Sequence, residues 1–135
     1  MLMARKIRVE EEAVRRVFRL DSVLSGVVAA YLASLVCSAV LGAVMLKTTI
    51  AQETVPSIIS GVSFLSIALG SGYAALKARW AGWMHGAATG ALYIVTTILI
   101  SLVLFPEPLN VVAVLERTVI AGFVGLVAGA ISVNL

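Results

Sequence analysis

Residues Ser22–Leu46 read SVLSGVVAAYLASLVCSAVLGAVML, twenty-five positions without a single charge. A helix that crosses a bilayer needs about 20 predominantly apolar residues, so this stretch is long enough to span. Three more charge-free windows follow outward from it: Thr54–Leu76, Trp80–Pro106 and Thr118–Leu135, of 23, 27 and 18 residues. The expectation is an all-α membrane protein with four transmembrane helices in a compact bundle. Spans are placed at about 22–46, 54–76, 81–105 and 111–133, the last beginning ahead of its charge-free window because 18 residues cover only about 27 Å. They form a domain of residues 22–135 behind a charged tail, residues 1–21.

The composition agrees with that reading once the charges are located. The 135 residues are 61% hydrophobic and 13% charged, with a mean hydropathy of +1.07; soluble domains run about 45–50% apolar and about 25% charged. Ten of the seventeen charges sit in the first 21 residues. Cys37 is the only cysteine and His85 the only histidine, so neither an intramolecular disulfide nor a Cys/His metal site is expected. The first window is too long for the 7–15-residue apolar core of a removable signal peptide, and Ala43-Val44-Met45-Leu46 is a poor cleavage site. Although the pI is near 9.4, the net charge is only +3. The basic residues adjoin the membrane segments, so nucleic acid is not an expected partner.

Orientation follows from those basic residues. With the N-terminus in the cytoplasm, the inner side carries six in the tail plus Lys77 and Arg79, against Lys47 and Arg117 outside. That bias predicts a multi-pass protein of the cytoplasmic membrane with both termini inside. Trp80, Trp83 and Tyr73 then gather at the inner interface as an aromatic belt, with Phe105 at the other side. Locally, Asp21-Ser22 is predicted to cap the first long helix and Asn110 the last. Pro56 suits a first helical turn, and Pro106 and Pro108 end the third span. In the tail, Glu11–Arg15 and Glu12–Arg16 are stabilising i, i+4 pairs beside a narrow apolar stripe of Val14, Val17 and Phe18. This predicts an amphipathic helix at the membrane surface, its arginines on anionic headgroups.

Every span carries small residues at helical spacing, which in a bilayer permit close backbone approach. The first has Gly26, Ala30, Ser34, Ser38 and Gly42; the second Gly70 and Gly72; the third Gly82, Gly86 and Gly90; the fourth Gly122, Gly125 and Gly129. These are the expected helix-packing positions. Each half is an outgoing helix, a turn with an acid and a returning helix with late glycines, which suggests a parallel two-plus-two repeat. The candidates for a polar site are His85, read as an interfacial residue bonded to headgroups or a helix end, and the adjacent Glu116 and Arg117, read as snorkelling to the outer interface. No nucleophile with a base, phosphate loop or paired intramembrane carboxylate is present, so no enzyme activity and no cofactor are expected. Small proton-coupled drug exporters depend on an acid deep in their first helix; Ser22–Leu46 has none.

The stretch GSGYAALKARWAGWMHGAATGALY, Gly70–Tyr93, resembles the YrzE-like family, uncharacterised four-helix membrane proteins of Gram-positive bacteria, and Ala121–Gly129 is similar to that family's ending. The resemblance implies four helices in the cytoplasmic membrane, supplies no catalytic residues and, from the family's genomic company, suggests an accessory role near protein export. The expected function is a non-enzymatic accessory or assembly subunit that packs against a membrane partner or itself; the alternative is a small oligomeric channel or transporter.

Overall fold

A computed structural model describes residues 1–17, 19–106, 108 and 110–135. Among these residues five helices follow one another: α1 Leu2–Val17, α2 Leu20–Lys47, α3 Val55–Ala78, α4 Gly82–Leu104 and α5 Val111–Asn134, with a 3-10 turn, Gln52–Thr54, leading into α3. The last four are long and apolar enough to cross a membrane, so the chain is an all-helical, multi-pass membrane protein. Short connections make α2/α3, α3/α4 and α4/α5 antiparallel. One end of the bundle therefore holds α1, the α3–α4 turn and the C-terminus, and is called the tail side below.

The sequence sets the helix ends. Pro56 occupies the first turn of α3, where its missing N–H breaks no helical bond. Asn110 caps α5, its Oδ1 accepting the backbone N–H of Val112 at 3.2 Å and of Ala113 at 3.3 Å. The α3–α4 turn uses two left-handed residues, Arg79 (φ 59°) and Ala81 (φ 44°), to reverse the chain within three positions. The Asp21-Ser22 cap requires correction. Helix α2 begins at Leu20 with Arg19 as its N-cap residue and no side-chain cap of its own. Asp21 thus lies inside the first turn, its carboxylate 3.7 Å from the Arg19 Nε on an exposed surface.

Helices α3 and α4 form the centre, each touching all three other spans, while α2 and α5 flank them without meeting. Contact is closest where glycines cross. A methyl group on Gly26 would lie 2.6 Å from the Ala74 Cβ, and one on Gly70 would lie 2.6 Å from that of Ala30, so α2 and α3 approach almost backbone to backbone. Between α4 and α5, Gly82, Gly86 and Gly90 face Gly129, Gly125 and Ala121, and a methyl on any of the five glycines would overlap a carbonyl oxygen of the opposite helix. Gly72 instead receives the Ser132 side chain of α5. Each hairpin thus pairs an early glycine of its outgoing helix with a late glycine of its returning one.

Ala30, Ile67, Tyr93 and Ala121, one from each span, make a buried layer across the bundle. Among the described residues, every buried position lies in this layer or on its tail side. Toward the opposite end the helices present side chains to lipid, which corrects part of the small-residue assignment. Ser38 and Gly42 are exposed, and nothing stands within 4 Å of a methyl placed on Gly42, Gly61 or Gly122. Gly42 lies beyond the level at which α2 leaves its neighbours, and Gly122 is rotated about 100° from the Ala121 contact. Ser34 is half-buried between these regimes.

Just beyond the common layer, the Tyr31 hydroxyl of α2 bonds to Thr96 Oγ1 (2.8 Å) and Thr97 Oγ1 (3.0 Å) of α4, and its ring lies 4.7 Å from that of Tyr93. Tyr31→Phe keeps the ring contact and removes the hydroxyl. Cross-helix side-chain hydrogen bonds in membranes average about 0.6 kcal/mol with a maximum near 1.7, so a loss in that range is expected from unfolding in detergent.

The tail helix α1 packs on no other element among the described residues. Met3 and Ile7, one turn apart, are exposed on one side, and Arg5, Arg8 and Glu12 on the other. The tail pairs Glu11–Arg15 and Glu12–Arg16 each involve a side chain outside the described residues, as does the whole stripe Val14, Val17 and Phe18.

Candidate functional site on the tail side

Ala81 in the left-handed conformation is the N-cap residue of α4, and its carbonyl is turned along the first helical turn. It accepts the N–H of Met84 (3.0 Å) and of His85 (3.3 Å). The His85 side chain, four residues on, folds back so that Nδ1 lies 3.1 Å from the same oxygen. Only an Nδ1–H can serve a carbonyl acceptor, which fixes the tautomer. Nε2 is then left as an acceptor, and it takes the backbone N–H of Arg19 at 3.1 Å.

This contact gives α2 its cap. The first N–H groups of a helix lack partners within it; here a histidine 66 positions away serves the residue where α2 begins. The imidazole is completely buried, so it is not the headgroup-facing residue expected of its short distance from the helix start. The helix-end partner in that expectation is present twice, as Ala81 and Arg19. Thr89, one turn further, is also fully buried and donates to the His85 carbonyl at 2.8 Å. Ser71 Oγ donates to the Gly86 carbonyl at 3.1 Å, tying α3 to α4 beside the glycine crossing. Ser22 Oγ is buried without a hydrogen-bond partner among the described residues. At the rim, Lys77 Nζ donates to Ser25 Oγ at 3.1 Å, joining α3 to α2, and Trp80, Trp83 and Tyr73 are about half exposed.

His85 is therefore the hub where α4, the α3–α4 turn and the start of α2 meet, and α1 leads directly into it. Glu116 and Arg117 do not join it. Both are exposed in the first two turns of α5, at the far end of the bundle, and only Arg117 lines a cleft there. Among the described residues no three His, Cys, Asp or Glu side chains gather as metal ligands.

A sequence model of proteins of unknown function, DUF3792, matches residues 19–132. The chain belongs to the DUF3792 family. The DUF3792 region opens at Arg19, the residue whose N–H is held by His85, and so contains the four spans to within two residues of the end of α5 and the whole histidine hub, while leaving α1 outside. No curated protein and no solved structure matches the chain. The role of the His85 contact was missed from sequence because Arg19 carries no signal of it: the partner is a backbone group.

Proposed function

We propose that this DUF3792 protein is a non-enzymatic accessory or assembly subunit of the cytoplasmic membrane, working through its tail helix and its outward helix faces. The observation that carries this reading is the closed tail-side half. There, glycine backbones touch, and of the five buried polar side chains among the described residues four (Ser66, Ser71, His85 and Thr89) bond to backbone groups. Side chains held to backbone groups between touching helices support a packing role for this interior. The resemblance to YrzE-like proteins of Gram-positive bacteria points the same way.

Eight basic residues on the tail side against two on the other support an arrangement with both termini in the cytoplasm. The unpartnered α1 then lies along the inner leaflet, with Met3 and Ile7 toward the acyl chains and Arg5 and Arg8 on anionic phosphates. The exposed Ser38 and Gly42 face of α2 is the surface through which a membrane partner or a second copy packs. A reporter enzyme active only outside the cell, fused after Leu135, should be silent; activity would reverse the orientation.

The role is tested by purifying the full chain from its native membrane in a mild detergent. Recovery with one defined membrane complex, lost when Gly42→Leu is introduced, is the expected result. Recovery only as a self-assembly that conducts ions or solutes in liposomes would replace the accessory reading with a channel or transporter.

A further inference from the structure

Between the end of α4 and the start of α5, away from the tail, lies a cleft of about 260 Å³. Its floor is apolar: Ile98, Leu102, Phe105, Ala113 and Val114. Its polar lining is Ser101, Asn110 and Arg117. We propose that this cleft binds an anionic phospholipid of the leaflet opposite the tail, one acyl chain lying on the apolar floor and the phosphate against Arg117.

Three observations select that occupant. First, Arg117 has no hydrogen-bond or ion-pair partner among the described residues, although its neighbour in sequence is Glu116, which does not line the cleft. A guanidinium on a membrane-spanning helix needs an anion or water, and its planar fork matches phosphate. Second, the free polar atoms beside it are donors. Asn110 commits its Oδ1 to the N–H groups of Val112 and Ala113, which leaves its amide NH₂ to give, and the Ser101 hydroxyl can donate as well. Among the described residues, no carboxylate opposes them within the lining. Third, depth and size fit a lipid. Arg117 stands six residues inside α5, about 9 Å along the helix, within reach of the headgroup level for a long side chain. The cleft, about 260 Å³, is smaller than the 300–1,000 Å³ pockets that enclose small ligands, as suits a chain whose remaining length stays in the bilayer.

The test is native mass spectrometry of the full chain with phosphatidylglycerol or phosphatidylcholine of identical acyl chains, with inorganic phosphate as a third probe. Phosphatidylglycerol should be retained preferentially, and Arg117→Gln should lower its apparent affinity about tenfold. Arg117→Lys should keep most of the preference, and Ala113→Phe, which fills the floor without touching the charge, should abolish retention of both lipids. Arg5→Gln/Arg8→Gln, which weakens headgroup binding at the tail, should leave this lipid in place. The proposal is overturned if Arg117→Gln retains phosphatidylglycerol like the native chain. It is equally overturned if inorganic phosphate displaces the lipid at equal concentration, or if the native chain is a dimer that Ala113→Phe dissociates, since a second copy then occupies the cleft.

Discussion

Gly86→Leu is expected to destabilise the bundle by about 3 kcal/mol or more, while Gly122→Leu, on the adjoining helix, stays within about 0.5 kcal/mol of the native chain. Gly86 is buried at the centre of the α4–α5 crossing, where even a methyl group would overlap the Gly125 carbonyl. Carbonyls within a helix cannot move aside as a side chain can. Leucine therefore forces α4 and α5 apart along the whole Gly82–Gly90 seam, and the Ser71 bond to the Gly86 carbonyl is lost with it. A membrane interior supplies no hydrophobic expulsion to hold separated helices together, so close packing is the main attraction forfeited. Gly122 has nothing within 4 Å of its added methyl, so leucine there need not push any backbone aside. Thermal unfolding of both variants in one detergent checks the pair. Equal losses, or a larger loss at Gly122, would mean that α5 turns a different face to α4.

The second large effect belongs to His85. His85→Phe keeps an aromatic ring in the fully buried site but can neither donate to the Ala81 carbonyl nor accept the Arg19 N–H. Losing two hydrogen bonds and leaving polar groups without partners costs about 2–3 kcal/mol; His85→Ala adds a cavity to that loss. The damage should be local in character. With its cap removed, the first turn of α2 frays, and trypsin should cut after Arg19 much faster while the remaining bundle stays folded. His85→Gln, which retains one donor and one acceptor, should recover part of the protection. Unchanged cleavage in His85→Phe would show that the start of α2 is held by something else.

The contrast between these two sites indicates what a sequence of this kind discloses. Four spans were legible because charge-free runs of bilayer length have few other physical solutions. The Asn110 cap was legible because an Asn before a helix serves its own next N–H groups. Glycine spacing announced close packing but not its extent: Gly26 and Gly42 share one stripe of α2, yet only Gly26 meets a partner. Periodicity describes a helix face and carries no information on where the neighbouring helix diverges. The α2 cap was misplaced for a related reason. Asp21 and Ser22 have the local chemistry of a cap, whereas the group that does the capping arrives by tertiary packing from His85. Its burial depended on the left-handed Ala81, a conformation alanine seldom adopts and that nothing in the sequence signals.

The accessory function rests on a tail-side half of the bundle that is closed and dry. In a Cys37→Ser background, single cysteines at Ser71, Thr89 and Ala121, all buried, can be exposed to a small membrane-impermeant methanethiosulfonate applied from each side of proteoliposomes holding the full chain. Cysteine at the exposed Arg79 serves as the positive control. The expected result is rapid modification at residue 79 and none at 71, 89 or 121 from either side. Modification at two or more of the buried positions would reveal a water-filled path between the helices and contradict the closed bundle on which the accessory function rests.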